Sequence, residues 1–149
     1  MAEVGQRLVL AFDFGTRRIG VAVGNEMLVS ARQLEPLAAR DGIPDWRQVT
    51  RLVEEWRPDL FVVGLPLELD GAELAMCTRA RKFAKRLFGR FGIHCEMVDE
   101  RGTTREAKAI ARESGEWRDS RKSYRDDGVD GLAAVLILEG FFAGEAKKP

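Results

Sequence analysis

Two runs of strand-forming residues on either side of a short turn, "LVLAFDFGTRRIGVAVGN" from Leu8 to Asn25, constrain the fold more than any other part of the chain. Leu8, Leu10 and Phe12 alternate with Val9, Ala11 and Asp13, and both sets are mostly apolar, which predicts a strand covered on both faces. Such a strand belongs at the centre of a sheet. The link around Gly15 and Thr16 is short, so Ile19 to Val23 is read as an antiparallel neighbour, and "MLVSARQ", Met27 to Gln33, as a third strand. One carboxylate, Asp13, stands between Phe12 and Phe14, where burying an unpaired charge is costly.

After Asp45 the period changes. Trp46, Val49, Leu52, Val53 and Trp56 recur at helical spacing until Pro58. "LFVVGLPL" follows as a buried strand ending at Gly64. Asp70 with Glu73 has the capping-box pattern of a helix running to about Gly89. Ile93 to Val98 is read as a fifth strand, Thr103 to about Ser114 as a helix, and Gly131 to Phe142 as a last, strongly apolar helix. The order βββαβαβαα predicts an α/β fold: a five-stranded mixed sheet, made of a three-stranded meander plus two parallel strands, flanked by helices. The 149 residues are expected to form one domain, with a mobile loop around 114–128 and a short disordered C-terminal tail.

Lys plus Arg equals Asp plus Glu at 24 each, so any electrostatic attraction to a partner must come from local clusters. Cys77, Cys95 and the single His94 lack the spacing of a zinc site. The N-terminal residues have no signal-peptide pattern and no segment approaches the length of a membrane span, so a cytoplasmic protein without a membrane partner is expected.

Ligands of α/β sheets gather beyond the carboxyl ends of the parallel strands. Asp13 falls at such an end. Asp99 and Glu100 follow the fifth strand, and Asp130 precedes the last helix. Each has an ordinary alternative: a turn-former bonding Gly15 and Thr16 for Asp13, an acidic corner beside Arg101 for Asp99 and Glu100, and a helix cap for Asp130. Their coincidence on one rim favours a site for hard divalent cations.

The motifs "LAFDFGTRRIGVAVGN", "DGIPDW", "VVGLPLELDG", "RARKFAKRLFGRFG", "DERGTTREA" and "VDGLAAVLILEGFF" together resemble the YqgF family, also called RuvX, over roughly Leu8 to Phe142. The resemblance implies an RNase H-like fold and a nuclease that matures the 5′ end of pre-16S ribosomal RNA, with kinship to Holliday-junction resolvases. Carried over by position, Asp13, Glu100 and Asp130 are the implied catalytic acids. The family usually has Leu after "DER", a Lys before the last Asp and Ser after it. Here stand Gly102, "RDDGVD" and Gly131, which makes Asp126 and Asp127 further candidates for the last acid.

On this reading Asp13, Glu100 and Asp130 hold Mg²⁺ or Mn²⁺, two ions with Asp13 bridging them, and hydrolyse a phosphodiester bond. Arg79, Lys82 and Arg86 lie on one helix beside Arg81, Lys85 and Arg90, and with Arg17 they are candidate nucleic-acid contacts. Arg118, Arg121, Lys122 and Arg125 in the following loop are further candidates, with Trp117 or Tyr124 as stacking residues. The expected partners are pre-rRNA, ribosomal particles and, as an alternative, branched DNA; the chain acts as a monomer or dimer. Two rivals remain: an ATPase, because "DFGTRRIGVAVG" also resembles the phosphate-binding hairpin of actin-like ATPases, and a non-catalytic RNA-binding ribosome-assembly factor.

Overall fold

Six strands form one mixed sheet. The computed structural model describes the backbone of residues 3, 5–65, 71–99 and 124–146, and their side chains apart from 65, 71–74, 99, 124–131 and 145–146. Strands β1 (Leu8–Asp13), β2 (Arg18–Asn25), β3 (Ser30–Arg40) and β4 (Ile43–Pro44) make an antiparallel meander. Helix α1 (Trp46–Trp56), β5 (Leu60–Leu65), α2 (Gly71–Phe91) and β6 (Cys95–Asp99) follow, and α3 (Tyr124–Ala146) comes last among the described residues. The sheet order is β4-β3-β2-β1-β5-β6, with β1, β5 and β6 parallel. The expected α/β architecture is therefore present, with one more strand than the five expected.

Central position explains the doubly apolar pattern of β1. Leu10, Phe12 and Phe14 pack with Phe61, Val63, Phe83 and Leu87 under α1 and α2. Val9 and Ala11 pack on the opposite face with Ala134, Ile137 and Leu138 of α3. Phe83 is the hinge of the first core: its ring lies 5.3 Å from Phe12, 5.6 Å from Phe14 and 5.9 Å from Trp46. Helix α1 starts where Asp45 accepts a hydrogen bond from the Arg47 amide, and it stops where Arg57 turns left-handed before Pro58.

Three boundaries differ from the sequence reading. Strand β3 begins at Ser30, not Met27, because the Asn25 side chain accepts hydrogen bonds from the Met27 and Leu28 amides and Val29 takes φ 48°, which turns the chain. It then continues to Arg40. The sixth strand, Ile43–Pro44, follows the left-handed Asp41 and Gly42 and is too short to carry a periodic signal. Helix α3 starts at Tyr124, so Tyr124–Gly128 of the expected loop is helical and Asp130 lies inside the helix instead of capping it. Asp126 and Asp127 occupy the opening turns, in a charged segment with no apolar period to announce a helix. The expected helix from Thr103 to Ser114 and the rest of the 114–128 loop lie outside the described residues. No helix among the described residues is long and apolar enough to cross a membrane.

At the far end of β1, the Glu26 carboxylate accepts hydrogen bonds from the Gly5 and Arg7 amides at 3.0 Å and from both guanidinium nitrogens facing it, Nε at 2.8 Å and Nη2 at 3.0 Å. The Arg7 side-chain bond, with smaller help from these amides, holds the Glu26 carboxyl below its ordinary value of 4.5. Its stabilisation is thus complete above pH 4.5 and is lost as the pH falls through the lowered folded value. Glu26→Gln is expected to cost about 1–2 kcal/mol at neutral pH. In urea titrations from pH 7 downward, the wild-type advantage over the variant should vanish in acid; an advantage that persists there contradicts the linkage.

Candidate active site

Asp13 is the last residue of β1 and the one buried charged side chain among the described residues, 7% exposed. Alternation accounts for its setting. Phe12 and Phe14 turn into the α1–α2 core, so Asp13 points with Val9 and Ala11 toward the face that α3 covers. Its backbone is paired with Gly20 of β2, and on the other side β1 runs beside β5 in parallel register.

The same edge collects other chain ends. Phe12 is level with Val63, and Leu65 is level with Asp99, so Asp13 stands in line with Gly64 of β5 and Val98 of β6. Two strand spacings separate β1 from β6, roughly 10 Å. Asp99 ends β6 at this edge; Glu100 follows it in sequence and lies outside the described residues. The other end of the sheet fixes α3. A Cβ at Gly24, the partner of Val9, would clash with the Ser30 carbonyl oxygen of β3 and meet Leu138 at 2.8 Å and Phe142 at 3.1 Å, so glycine lets both β3 and the helix close on β2. Ala133 and Ala134, upstream in α3, are fully buried over the sheet, and Asp130 occupies the position one turn before Ala134.

Among the predicted cations, Arg17 is exposed in the β1–β2 turn, and its carbonyl accepts the Ala39 amide at 2.9 Å. Arg79, Lys82 and Arg86 are exposed on α2, whose buried residues Ala80, Phe83 and Leu87 pack on the opposite face of the sheet from Asp13. The structure therefore does not bring this helix face onto the side of Asp13. Arg125 falls in the first turn of α3, whereas Trp117, Arg118, Arg121 and Lys122 lie outside the described residues.

Comparison with known proteins decides the family. The family model described as "RuvX: Holliday junction resolvase" matches residues 7–144. The chain belongs to the RuvX family. A RuvX relative from Chromohalobacter salexigens, named "Putative pre-16S rRNA nuclease", is 69% identical over 145 residues, covering 97% of this chain and 95% of the relative. One of the same name from Marinobacter nauticus is 55% identical over 139 residues, covering 93% and 94%. The RuvX chain also shares its fold with T. thermophilus RuvC, solved in complex with a Holliday junction substrate, at a TM-score of 0.54 and 17% identity, covering 94% of this chain and 96% of that one.

Two arginines of this RuvX chain were not singled out by sequence. Ile19, Val21, Leu37 and Ala39 all pack toward α1 and α2, so Arg18 and Arg40 face the side of Asp13 at the same sheet edge. The parity of Arg18 with Gly20 was readable. That of Arg40 was not, because the β2–β3 register shifts between the Ile19–Leu37 and Val21–Leu34 pairs.

The donors suit a hard cation. Among the described residues no three His, Cys, Asp or Glu gather closely enough to hold a metal. Asp13 itself is an oxygen donor buried at a ligand-binding edge, and the two residues predicted to join it, Glu100 and Asp130, are oxygen donors too. Soft ligation has no comparable group: burial, with a smaller push from Glu96, raises the Cys95 thiol to about 12 and so keeps it protonated at neutral pH.

Proposed function

We propose that this RuvX-family nuclease hydrolyses phosphodiester bonds of pre-16S ribosomal RNA at a divalent-metal site made by Asp13, Glu100 and Asp130. The observation that carries the reading is the burial of Asp13 on the α3 face at the carboxyl edge of β1. Helix geometry supports the convergence. From Val9 to Asp13 is roughly 13 Å along the strand. From the Leu138–Phe142 contact back to Asp130 is roughly 15 Å along the helix. With Leu138 and Phe142 anchored near Val9, the helix running back through the buried Ala134 and Ala133 carries the Asp130 backbone toward the level of Asp13. Glu100, one residue beyond β6, approaches from the other side of β5.

Asp13, Glu100 and Asp130 would hold Mg²⁺ or Mn²⁺, two ions on this reading. A bound divalent cation supplies Lewis-acid neutralisation of the charge that builds on the phosphate during attack by water. The chain's own part is to place three carboxylates at one edge and to cover them with α3, so that interactions there act in a medium less screening than water. One water oxygen bonds to phosphorus, the bond from phosphorus to the leaving nucleotide oxygen breaks, and the proton lost by water ends on that oxygen. Arg17, Arg118, Arg121, Lys122 and Arg125 would hold RNA beside the acids, while Arg79, Lys82 and Arg86 would meet RNA, or the ribosomal particle that carries it, on the other face of the sheet. The protein acts in the cytoplasm, where its substrate is made.

The family description favours a second substrate, branched DNA. The test is incubation of the purified chain with pre-16S RNA, single-stranded DNA and a four-way DNA junction in Mg²⁺ or Mn²⁺. Cleavage of the RNA precursor that EDTA abolishes is expected. Cleavage of the junction alone would replace the substrate, and cleavage of nothing would leave the RNA-binding assembly factor as the better reading.

A further inference from the structure

We infer that a second phosphate of the bound strand is held in a polar cavity at the β1–β2 turn that follows Asp13, lined by Thr16, Arg17, Arg18, Ala39, Arg40 and Asp41, and that this contact sets the register of the nucleic acid on the acids. The inference rests on the nuclease reading and names a subsite of it. The cavity is about 400 Å³. Arg17 and Arg40 line it together with Arg18 and a single acid, Asp41, in a chain with no net charge. Guanidinium groups present paired donors that match phosphate oxygens, and one carboxylate is too few to hold a cation in their place. The lining has no aromatic or large apolar side chain on which a base would stack.

Backbone contacts tie the cavity to the site. The Ala39 amide donates to the Arg17 carbonyl and the Gly42 amide to the Thr16 carbonyl, both at 2.9 Å, so the β1–β2 turn is fastened to the end of β3. Gly42 has φ +81°, and a Cβ there would stand 2.6 Å from the Phe14 ring. Only glycine lets this turn close on the residue that follows Asp13. Arg18 and Arg40 point to the side of the sheet that Asp13 faces. Strand β3 lies two strands from β1, roughly 10 Å away. That separation is on the scale of neighbouring phosphates along one strand, so a phosphate in the cavity belongs to the same strand as the one at the acids, one or two nucleotides removed.

The test measures binding without chemistry: fluorescence anisotropy of the full chain with a short fluorescein-labelled single-stranded RNA, in EDTA, over a series of KCl concentrations. Arg40→Gln is expected to weaken binding about tenfold and to reduce the slope of log affinity against log salt by about one. Arg17→Gln should act in the same direction. Arg40→Lys should restore the slope with only part of the affinity, because it keeps the charge and loses the paired donors. Arg51→Gln, an exposed arginine of α1, should change neither. Wild-type affinity and slope in Arg40→Gln, or an equal loss in Arg51→Gln, overturn the subsite. Asp13→Asn is tested in parallel for cleavage: if it still cleaves, the assignment of the acids fails, whereas the subsite is decided by the anisotropy series alone.

Discussion

Asn in place of Asp13 is expected to leave the chain folded and to lower Mg²⁺-dependent cleavage by about a thousandfold or more, which corresponds to roughly 4 kcal/mol of lost transition-state stabilisation. The two halves of this result have different causes. Asn keeps the size of the side chain and one carbonyl oxygen. In EDTA the variant should still unfold in one cooperative thermal transition. What Asn cannot replace is the negative charge toward a cation. Added Mg²⁺ should raise the midpoint of the wild type and not of the variant. A variant that unfolds easily yet cleaves normally would make Asp13 a structural turn residue.

The second large effect is on stability. Phe83 is 2% exposed and its ring meets Phe12, Phe14 and Trp46, which belong to β1, the β1–β2 turn and the start of α1. Phe83→Ala removes a ring on which three elements converge, and the cavity left cannot be filled by one of them without displacing the others. A cost of about 3–5 kcal/mol is expected. It should appear as a lower urea midpoint with an unchanged slope. Because Phe12 and Phe14 flank Asp13, cleavage by the folded variant should also fall, whereas Phe83→Leu should restore most of both. A cost below about 1 kcal/mol would show that the α2 side of the sheet is not held through this ring.

The central strand was legible because two-sided burial leaves an unmistakable pattern in Leu8–Asp13, and the one residue that breaks it is the one at the candidate site. Helix α1 was legible as well, from the spacing of Val49 and Val53 and the Asp45 cap. The limits of β3 were not, because Met27, Leu28 and Val29 look like strand residues yet are exposed in a turn set by the Asn25 side chain and the left-handed Val29. The start of α3 was hidden for the opposite reason: the charged "YRDDG" lacks an apolar period, yet it forms the opening turns of the helix. Of the site, Asp13 was marked by its place at the end of β1, whereas Asp130, expected to open a helix, lies inside α3, and Glu100 lies outside the described residues. The sequence does not mark Arg40, whose position depends on an irregular strand register and on a glycine turn that closes against Phe14. Nor does a cationic helix such as α2 reveal which face of the sheet it lies on, since that follows from the crossover joining β5 to β6.

Convergence of Asp13, Glu100 and Asp130 on divalent metal is most directly tested by diffraction from crystals soaked in MnCl₂, with anomalous data collected at the manganese edge. Anomalous peaks within about 2.0–2.3 Å of carboxylate oxygens of Asp13, with Glu100 and Asp130 oxygens completing the same cluster, are the expected result. Manganese elsewhere, or Glu100 and Asp130 directed away from an Asp13 that binds none, would contradict the account.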